Sequence, residues 1–472
     1  MGNNAVSKHN LPKFGIRDKI GYAAGDLANN LTFTMASSFL MVFYTEVLAI
    51  PAAMVGTLFV VSRIVDAFTD VGMGAIVDRM PATKNGKFRP WIRRVAGPIA
   101  IASFLMYQAG MADASLTAKI IYMYATYILW GSIAYTAINI PYGSMASAIT
   151  PDPAERTELS AFRTIGATLA QLFIGVLVPL IIFTQDANGN QVVQDGSRFT
   201  IIAGVLALLT VVFYMICYNF TTERVQIDKP IVEGESRVSL VTTLKSILTS
   251  RSLLAITGSS IFLLMTMILM QSMYNYLFPN YFRSSTAISM INFINPIGTI
   301  ILVTPIASYL GRKIGKKEAA IIGMTIGSAL NLVLFFMKTD SVVVFIALSS
   351  LAFMSLNIFN VLVWATITDV IDDLEVKNHN RDDGTVYAVN SFARKIGQAL
   401  AGGLAGWALT FVGYESGAAQ QTPEVLTGIY NISTLAPALG FFACAMILLF
   451  VYPLSKQRTL DNQQTLSERK NG

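Results

Sequence analysis

Apolar stretches about 20 residues long recur along this entire chain, and each is long enough to cross the hydrocarbon core of a bilayer. Twelve are readable, at about 20–48, 54–78, 91–113, 117–145, 158–184, 199–219, 252–282, 287–310, 317–338, 341–370, 384–413 and 427–453. Gly, Pro or a polar residue interrupts most of them. Such breaks suit helices packed in a bundle, where neighbours satisfy the freed backbone groups. Of the 472 residues, 53% are hydrophobic and 13% charged. A soluble domain carries roughly 25% charged residues, so most of this surface faces lipid. The expected fold class is an all-α integral membrane protein of twelve transmembrane helices in two six-helix halves.

Basic residues set the orientation, because cytoplasmic loops collect Lys and Arg. Lys8, Lys13, Arg17 and Lys19 precede the first span; Arg79, Lys84, Lys87, Arg89, Arg93 and Arg94 follow the second; Arg312, Lys313, Lys316 and Lys317 follow the eighth. The opposite loops hold only Lys119, Arg198, Arg283 and Lys338. Both termini are therefore expected in the cytoplasm, in a plasma (inner) membrane. The net charge of +6 is accounted for without nucleic acid. The polar, basic N-terminus shows no cleavage site and reads as no signal peptide.

The longest charged segment, 220–251, separates an N-terminal half (1–219) from a C-terminal half (252–455), and 456–472 reads as a polar tail. A basic turn follows the second span of each half, VDRMPATKNGKFRPW and LGRKIGKKEA. This weak internal repeat is what a transporter built from two related halves shows. Enzyme chemistry has no foothold. Cys217 and Cys444 sit alone in apolar runs, which gives neither a disulfide framework nor a metal-ligand spacing. His9 and His379 fall in cytoplasmic segments. GRKIGKK is one residue short of a phosphate loop. No enzyme activity and no cofactor are expected, apart from a coupling cation.

The sharpest signal is charge inside the second span, where Arg63, Asp66 and Asp70 lie near the middle. Each mid-span charge costs roughly 2.5–3.5 kcal/mol on insertion scales. At about 100° per residue the three share an arc of roughly 60°, so they face the bundle together. Two carboxylates and one guanidinium leave a charge of −1 that a proton or Na⁺ would neutralise; a structural bridge beside a protonated acid is the alternative. In the first span Tyr22, Asp26, Asn29, Phe33 and Ser37 recur at helical spacing, with Asn30 adjoining. In the fourth, Ser132, Tyr135, Asn139 and Tyr142 do the same around Pro141. Such stripes supply hydrogen bonds and stacking faces for a polyhydroxylated solute, or else interhelical packing. The eleventh span holds Asn390, Ser391, Arg394 and Lys395. Lys395, about 16 Å along that helix, either snorkels to the interface or meets an acid such as Asp66 or Asp70. Trp364 reads as a core aromatic, with stacking on a sugar as the alternative. Asp369, Asp372 and Asp373 read as a solvated, charge-paired helix end.

KIGYAAGDLANN, RIVDAFTD with VDR and GKFRPW after it, NIPYGSM and RTELSAFR together resemble the glycoside–pentoside–hexuronide:cation symporters, the melibiose permease group of the major facilitator superfamily. The resemblance runs from about residue 15 to 455. It implies the major facilitator fold and a cation site at Asp66 and Asp70, with Thr136 as a further ligand. It also implies a sugar site drawing on Asn29, Asn30, Asn139, Arg163, Asn390 and Ser391, beside the stripe residues Asp26 and Tyr135, with Arg63 and Lys395 balancing charge. Melibiose permease carries Asp where this chain has Asn30 and Asn139, Trp where it has Gly143, and Asn where it has Thr69. Galactoside specificity therefore does not transfer, and Thr69 offers Na⁺ a hydroxyl in place of an amide carbonyl, which makes H⁺ at least as plausible a partner. The expected function is symport of a sugar, a glycoside or pentoside with α-xylosides first, with H⁺ or Na⁺ by alternating access. A cation-coupled lipid-type carrier of the same superfamily and a non-transporting receptor or channel are the rivals. The expected partners are a small sugar and the bilayer, with no nucleic acid, no fused regulatory domain, and a monomer or weak dimer.

Overall fold

A computed structural model describes residues 12–471 except Met80, Lys84, 188–190, Gln194, 226–249, 379–382 and Ala419. His9, His379 and most of the 220–251 segment lie outside the described residues, as does the side chain of Ser391. The chain divides into two compact units, the first holding the helices up to Phe220 and the second those from Arg251 onward.

In the first unit α1 (Ile16–Val42) closes in a wide π turn at Phe43–Val47 and is followed by α2 (Ala52–Arg79) and α3 (Arg89–Leu105). The helix α4 (Leu116–Tyr127) runs through a π stretch, Ile128–Tyr135, into α5 (Thr136–Ile149). Then come α6 (Pro153–Ile182) and α7 (Ser197–Phe220); the chain between them carries the paired two-residue strands β1 (Thr184–Gln185) and β2 (Gln191–Val192), of which Gln185–Gln191 is assigned to the second unit. In the second unit α8 (Arg251–Asn280) precedes α9 (Thr286–Gly298), which passes through a π turn at Thr299–Val303 into α10 (Thr304–Lys313). The helices α11 (Lys316–Met337), α12 (Val342–Asn378), α13 (Asp383–Phe411) and α14 (Pro423–Met446, with a π turn at Ile447–Val451) follow. Joining the rods that only a π stretch divides gives twelve spans among the described residues. Eight are long and apolar enough to cross a membrane by length and composition; α1, α3, the α4–α5 rod and α13 complete the set.

Local chemistry explains the boundaries. Ser115, Asp152, Ser250 and Thr422 each accept a backbone N–H from the first turn of the helix they begin, and Pro153 and Pro423 occupy the first helical position. These caps satisfy donors that have no partner inside the helix. The α9–α10 π turn lies between Pro296 and Pro305, where a missing N–H disturbs the regular ladder. Outward faces are bare hydrocarbon: Ile201, Val205, Leu208 and Val212 follow one side of α7 and are all exposed.

The helices α1 and α6 pack at backbone distance. A Cβ on Gly166 would lie 2.2 Å from the Ala23 carbonyl oxygen, whereas one on Gly143 would meet nothing within 4 Å. Because the obstacle is backbone, the helices must part to admit a side chain, and overpacking of this kind costs about 1–3 kcal/mol. Gly166→Val is expected to lower the unfolding midpoint of the detergent-purified protein, while Gly143→Ala leaves it in place. Equal midpoints for the two variants would show that the α1–α6 contact is not tight.

The tail after residue 455 is not merely polar chain: it forms α15 (Lys456–Asn471), docked on the end of α12. Asp373, 1% exposed, accepts from Ser252 Oγ (2.9 Å) and Asn462 Nδ2 (3.4 Å) and pairs with Lys377 (2.5 Å) and Arg458 (3.6 Å). Asp369, 4% exposed, pairs with Lys316 at 2.7 Å. The acids at this helix end are charge-paired, as expected, but the expectation that they are solvated is corrected. The covering helix and the α8 and α11 starts take Asp369 and Asp373 out of water, and Asp372 is half-buried.

Candidate functional site

The wide stretch between α4 and α5 faces the charged segment of α2. Ser132, inside that stretch, donates to Asp66 Oδ1 at 2.6 Å, and Thr136, one turn on, donates to Asp70 Oδ1 at 2.9 Å. Arg63 Nη1 pairs with the other Asp66 oxygen at 3.2 Å. Acids four residues apart on α2 thus meet hydroxyls four residues apart on the α4–α5 rod. Asp66 is buried and Asp70 half-buried. The cluster carries two carboxylates and one guanidinium, so a net negative charge is held among hydroxyl and carboxylate oxygens. Such a group can take a proton or an oxygen-coordinated cation.

Thr69 directs its proton to its own backbone. Its hydroxyl donates back to the carbonyls of Val65 (3.3 Å) and Asp66 (3.2 Å). The oxygen beside the acid pair is supplied instead by Ser132, which reading the sequence placed only in a polar stripe. The equal four-residue spacings of 66/70 and 132/136 were the available signal. π stretches inside α-helices are common at functional sites, and here one presents the hydroxyl.

A second polar group lies on α1, α5, α6 and α7. Arg163 Nε donates to Asp26 Oδ1 at 2.8 Å, and Asn30 Nδ2 donates to both Asp26 Oδ2 and the Asp26 carbonyl at 2.9 Å. Asn29 Oδ1 accepts from Tyr214 Oη at 2.5 Å, and Asn29 Nδ2 donates to Asn139 Oδ1 at 3.5 Å. Tyr22 stacks on Tyr142 with centroids 4.7 Å apart, and Tyr135 stands between Phe33 and Trp130, 5.6 Å from each. The structure therefore gathers Asp26, Asn29, Asn30, Tyr135, Asn139 and Arg163 beside the acid pair of the same unit. Tyr214 is an addition that an apolar-looking α7 gave no reason to single out.

In the second unit Asn390 and Arg394 lie four residues apart on α13 and so share a face. Asn390 is buried; its Oδ1 accepts from Ser260 Oγ at 3.0 Å, while its Nδ2 has no hydrogen-bond partner among the described residues. The Arg394 guanidinium lies 5.6 Å over the ring of Trp364. Trp364 is 50% exposed and is not the core aromatic expected of it. Lys395 is exposed on the next position of α13.

Residues 21–456 match the family model described as MFS/sugar transport protein. The chain is a member of the glycoside–pentoside–hexuronide:cation symporter family. It is 33% identical to the uncharacterized symporter YjmB of Bacillus subtilis (strain 168), covering 99% of both chains. It is 31% identical to the glucuronide carrier protein homolog of Escherichia coli (strain K12), covering 96% of both. Among solved structures it resembles a bacterial homologue of the human lysosomal transporter Spinster, with TM-score 0.69, 12% identity and coverage of 96% of this chain and 99% of that one. The symporter is thus a multi-pass secondary transporter of the major facilitator fold, not an enzyme.

Proposed function

We propose that this symporter moves an anionic sugar, a hexuronide, together with a proton, by alternating access in the inner membrane with both termini cytoplasmic. The observation that carries the substrate is Arg394. Arg63 and Arg163 each face a carboxylate, whereas Arg394, also within a span, stacks on Trp364 and has no ion-pair partner among the described residues. A mid-membrane guanidinium without a fixed counter-charge is a site for a ligand that brings one. Trp364 offers the sugar ring a stacking face, and the spare Asn390 N–H groups offer donors to its hydroxyls. The relation to a glucuronide carrier homolog supports the same reading. Neutral pentosides, expected first from the sequence, are the rival substrates. The proton reading rests on the acid pair itself: a proton needs one carboxylate of Asp66 or Asp70, whereas Na⁺ needs several oxygen ligands at once.

The test is uptake into proteoliposomes from a panel of glucuronides and xylosides, with and without Na⁺, while external pH is recorded. Glucuronide uptake should persist without Na⁺ and alkalinise the medium. Arg394→Gln should raise KM for the glucuronide about 10- to 150-fold, the worth of one hydrogen bond to a charged group, and leave any xyloside uptake unchanged. Uptake of xylosides but not glucuronides would overturn the substrate, and Na⁺-dependent uptake without a pH change would overturn the proton.

A further inference from the structure

Where α2 hands over to α3, a cavity of about 500 Å³ is lined by Thr83, Asn85, Pro90, Arg93, Arg94 and Tyr218. Neither Arg93 nor Arg94 is in an ion pair among the described residues. The walls are fixed by other bonds. Arg89 stands over the Tyr218 ring at 4.9 Å and donates twice to the Tyr218 carbonyl, at 3.0 and 2.7 Å. Arg93 also lies over that ring, 5.7 Å from its centroid. On the other side Thr83 and Gly86 exchange two backbone hydrogen bonds of 3.0 Å, and the Thr83 hydroxyl donates to the Gly86 carbonyl at 2.8 Å. The N–H groups at the start of α3 are already taken, because Glu223 accepts from Lys87, Phe88 and Arg89 at 2.7, 2.9 and 2.7 Å. An anion entering this cavity would be read by side chains, not by the helix end.

The chemistry of two guanidinium forks without an ion-pair partner among the described residues favours a phosphate, whose oxygens accept paired N–H donors. What lies beyond the cavity selects the source. Arg94, Pro98, Ile101 and Leu105 fall at spacings of 4, 3 and 4 on α3 and all are exposed, so an apolar stripe leads from the guanidinium along the span. We propose that the cavity binds an anionic phospholipid, its phosphate between Arg93 and Arg94 and an acyl chain along that stripe. The positive-inside pattern puts this end of α3 at the leaflet where basic pockets between helices meet anionic headgroups.

The test uses the full-length purified protein in neutral detergent, titrated with phosphatidylglycerol, phosphatidylcholine or inorganic phosphate. Thermal unfolding and native mass spectrometry are the readouts. Phosphatidylglycerol should raise the unfolding midpoint and appear as a retained adduct, and the other two should not. Arg93→Gln/Arg94→Gln should weaken retention at least about 10-fold, whereas Arg312→Gln, an exposed arginine of the other unit, should leave it unchanged. Equal effects of phosphatidylcholine, or undiminished retention by the double variant, would overturn the site. Stabilisation by inorganic phosphate as great as by phosphatidylglycerol would overturn the lipid and leave a soluble phosphate ester as the ligand. The wild-type arms decide the matter even if the double variant does not fold.

Discussion

Asp66→Asn and Asp70→Asn are each expected to abolish uphill accumulation of substrate while substrate exchange across the membrane survives. The amide keeps the size of the carboxyl and an oxygen to accept from Ser132 or Thr136, so packing around the site is preserved. What disappears is the charge that a proton or cation would neutralise. Coupling is a free energy shared by both ligands, so a transporter that no longer binds the cation cannot use its gradient to favour sugar. Accumulation ratios should fall to unity, whereas Ser132→Ala, which removes one neutral donor, should cost about 0.5–1.5 kcal/mol of site stability and only part of the coupling. Counterflow and gradient-driven uptake measured on the same vesicles separate the two properties. Normal accumulation by both acid variants would place the cation site elsewhere.

Arg224→Ala should be the most destabilising single change in the first unit. Asp18, whose side chain is 3% exposed, receives Arg224 Nη2 at 2.8 Å and Nη1 at 3.0 Å, and the Thr222 N–H at 3.0 Å. The same guanidinium donates to the carbonyls of Pro12 (2.8 Å), Thr222 (2.9 Å) and Ile149 (3.3 Å). One side chain therefore fastens the approach to α1, the end of α5 and the exit from α7. Removing one partner of a buried pair strands the other charge, at about 3–5 kcal/mol. Arg224→Lys should restore little, because an ammonium cannot reproduce the two-pronged contact. Adding Asp18→Asn to Arg224→Ala should recover part of the loss, since the stranded charge is then gone. Thermal unfolding in detergent checks this, and an Arg224→Ala midpoint equal to wild type would refute it.

The spans were legible in the sequence because hydrocarbon leaves a chain little freedom: every crossing needs its apolar length, and every exception stands out. Arg63, Asp66 and Asp70 were visible for that reason. Hydroxyls were harder to read, since a Ser or Thr in a helix has its own backbone as an acceptor. Thr69 spends its hydroxyl that way and Ser132 does not. Only the π stretch from Ile128 to Tyr135 separates the two cases, and nothing in its eight residues announces it. Asp373 was read as solvated because its cover, α15, lies more than 80 residues downstream in a segment with no apolar face of its own. Glu223 and Arg224 looked like the start of a charged loop, because their partners at Asp18 and 87–89 are remote in sequence.

The Thr136 hydroxyl has one proton and two acceptors, Asp70 Oδ1 at 2.9 Å and the Gly131 carbonyl, five residues back across the wide turn, at 3.4 Å. Turned toward Gly131, it would withdraw its proton from the acid and aim a lone pair there instead. Rotations of this kind take picoseconds to nanoseconds, whereas helix and domain movements take microseconds or longer. If the acid pair takes up and releases the coupling cation as proposed, this hydroxyl can follow each arrival and departure without waiting for the scaffold, and the slow steps of the cycle would then fall to the movement of whole helices.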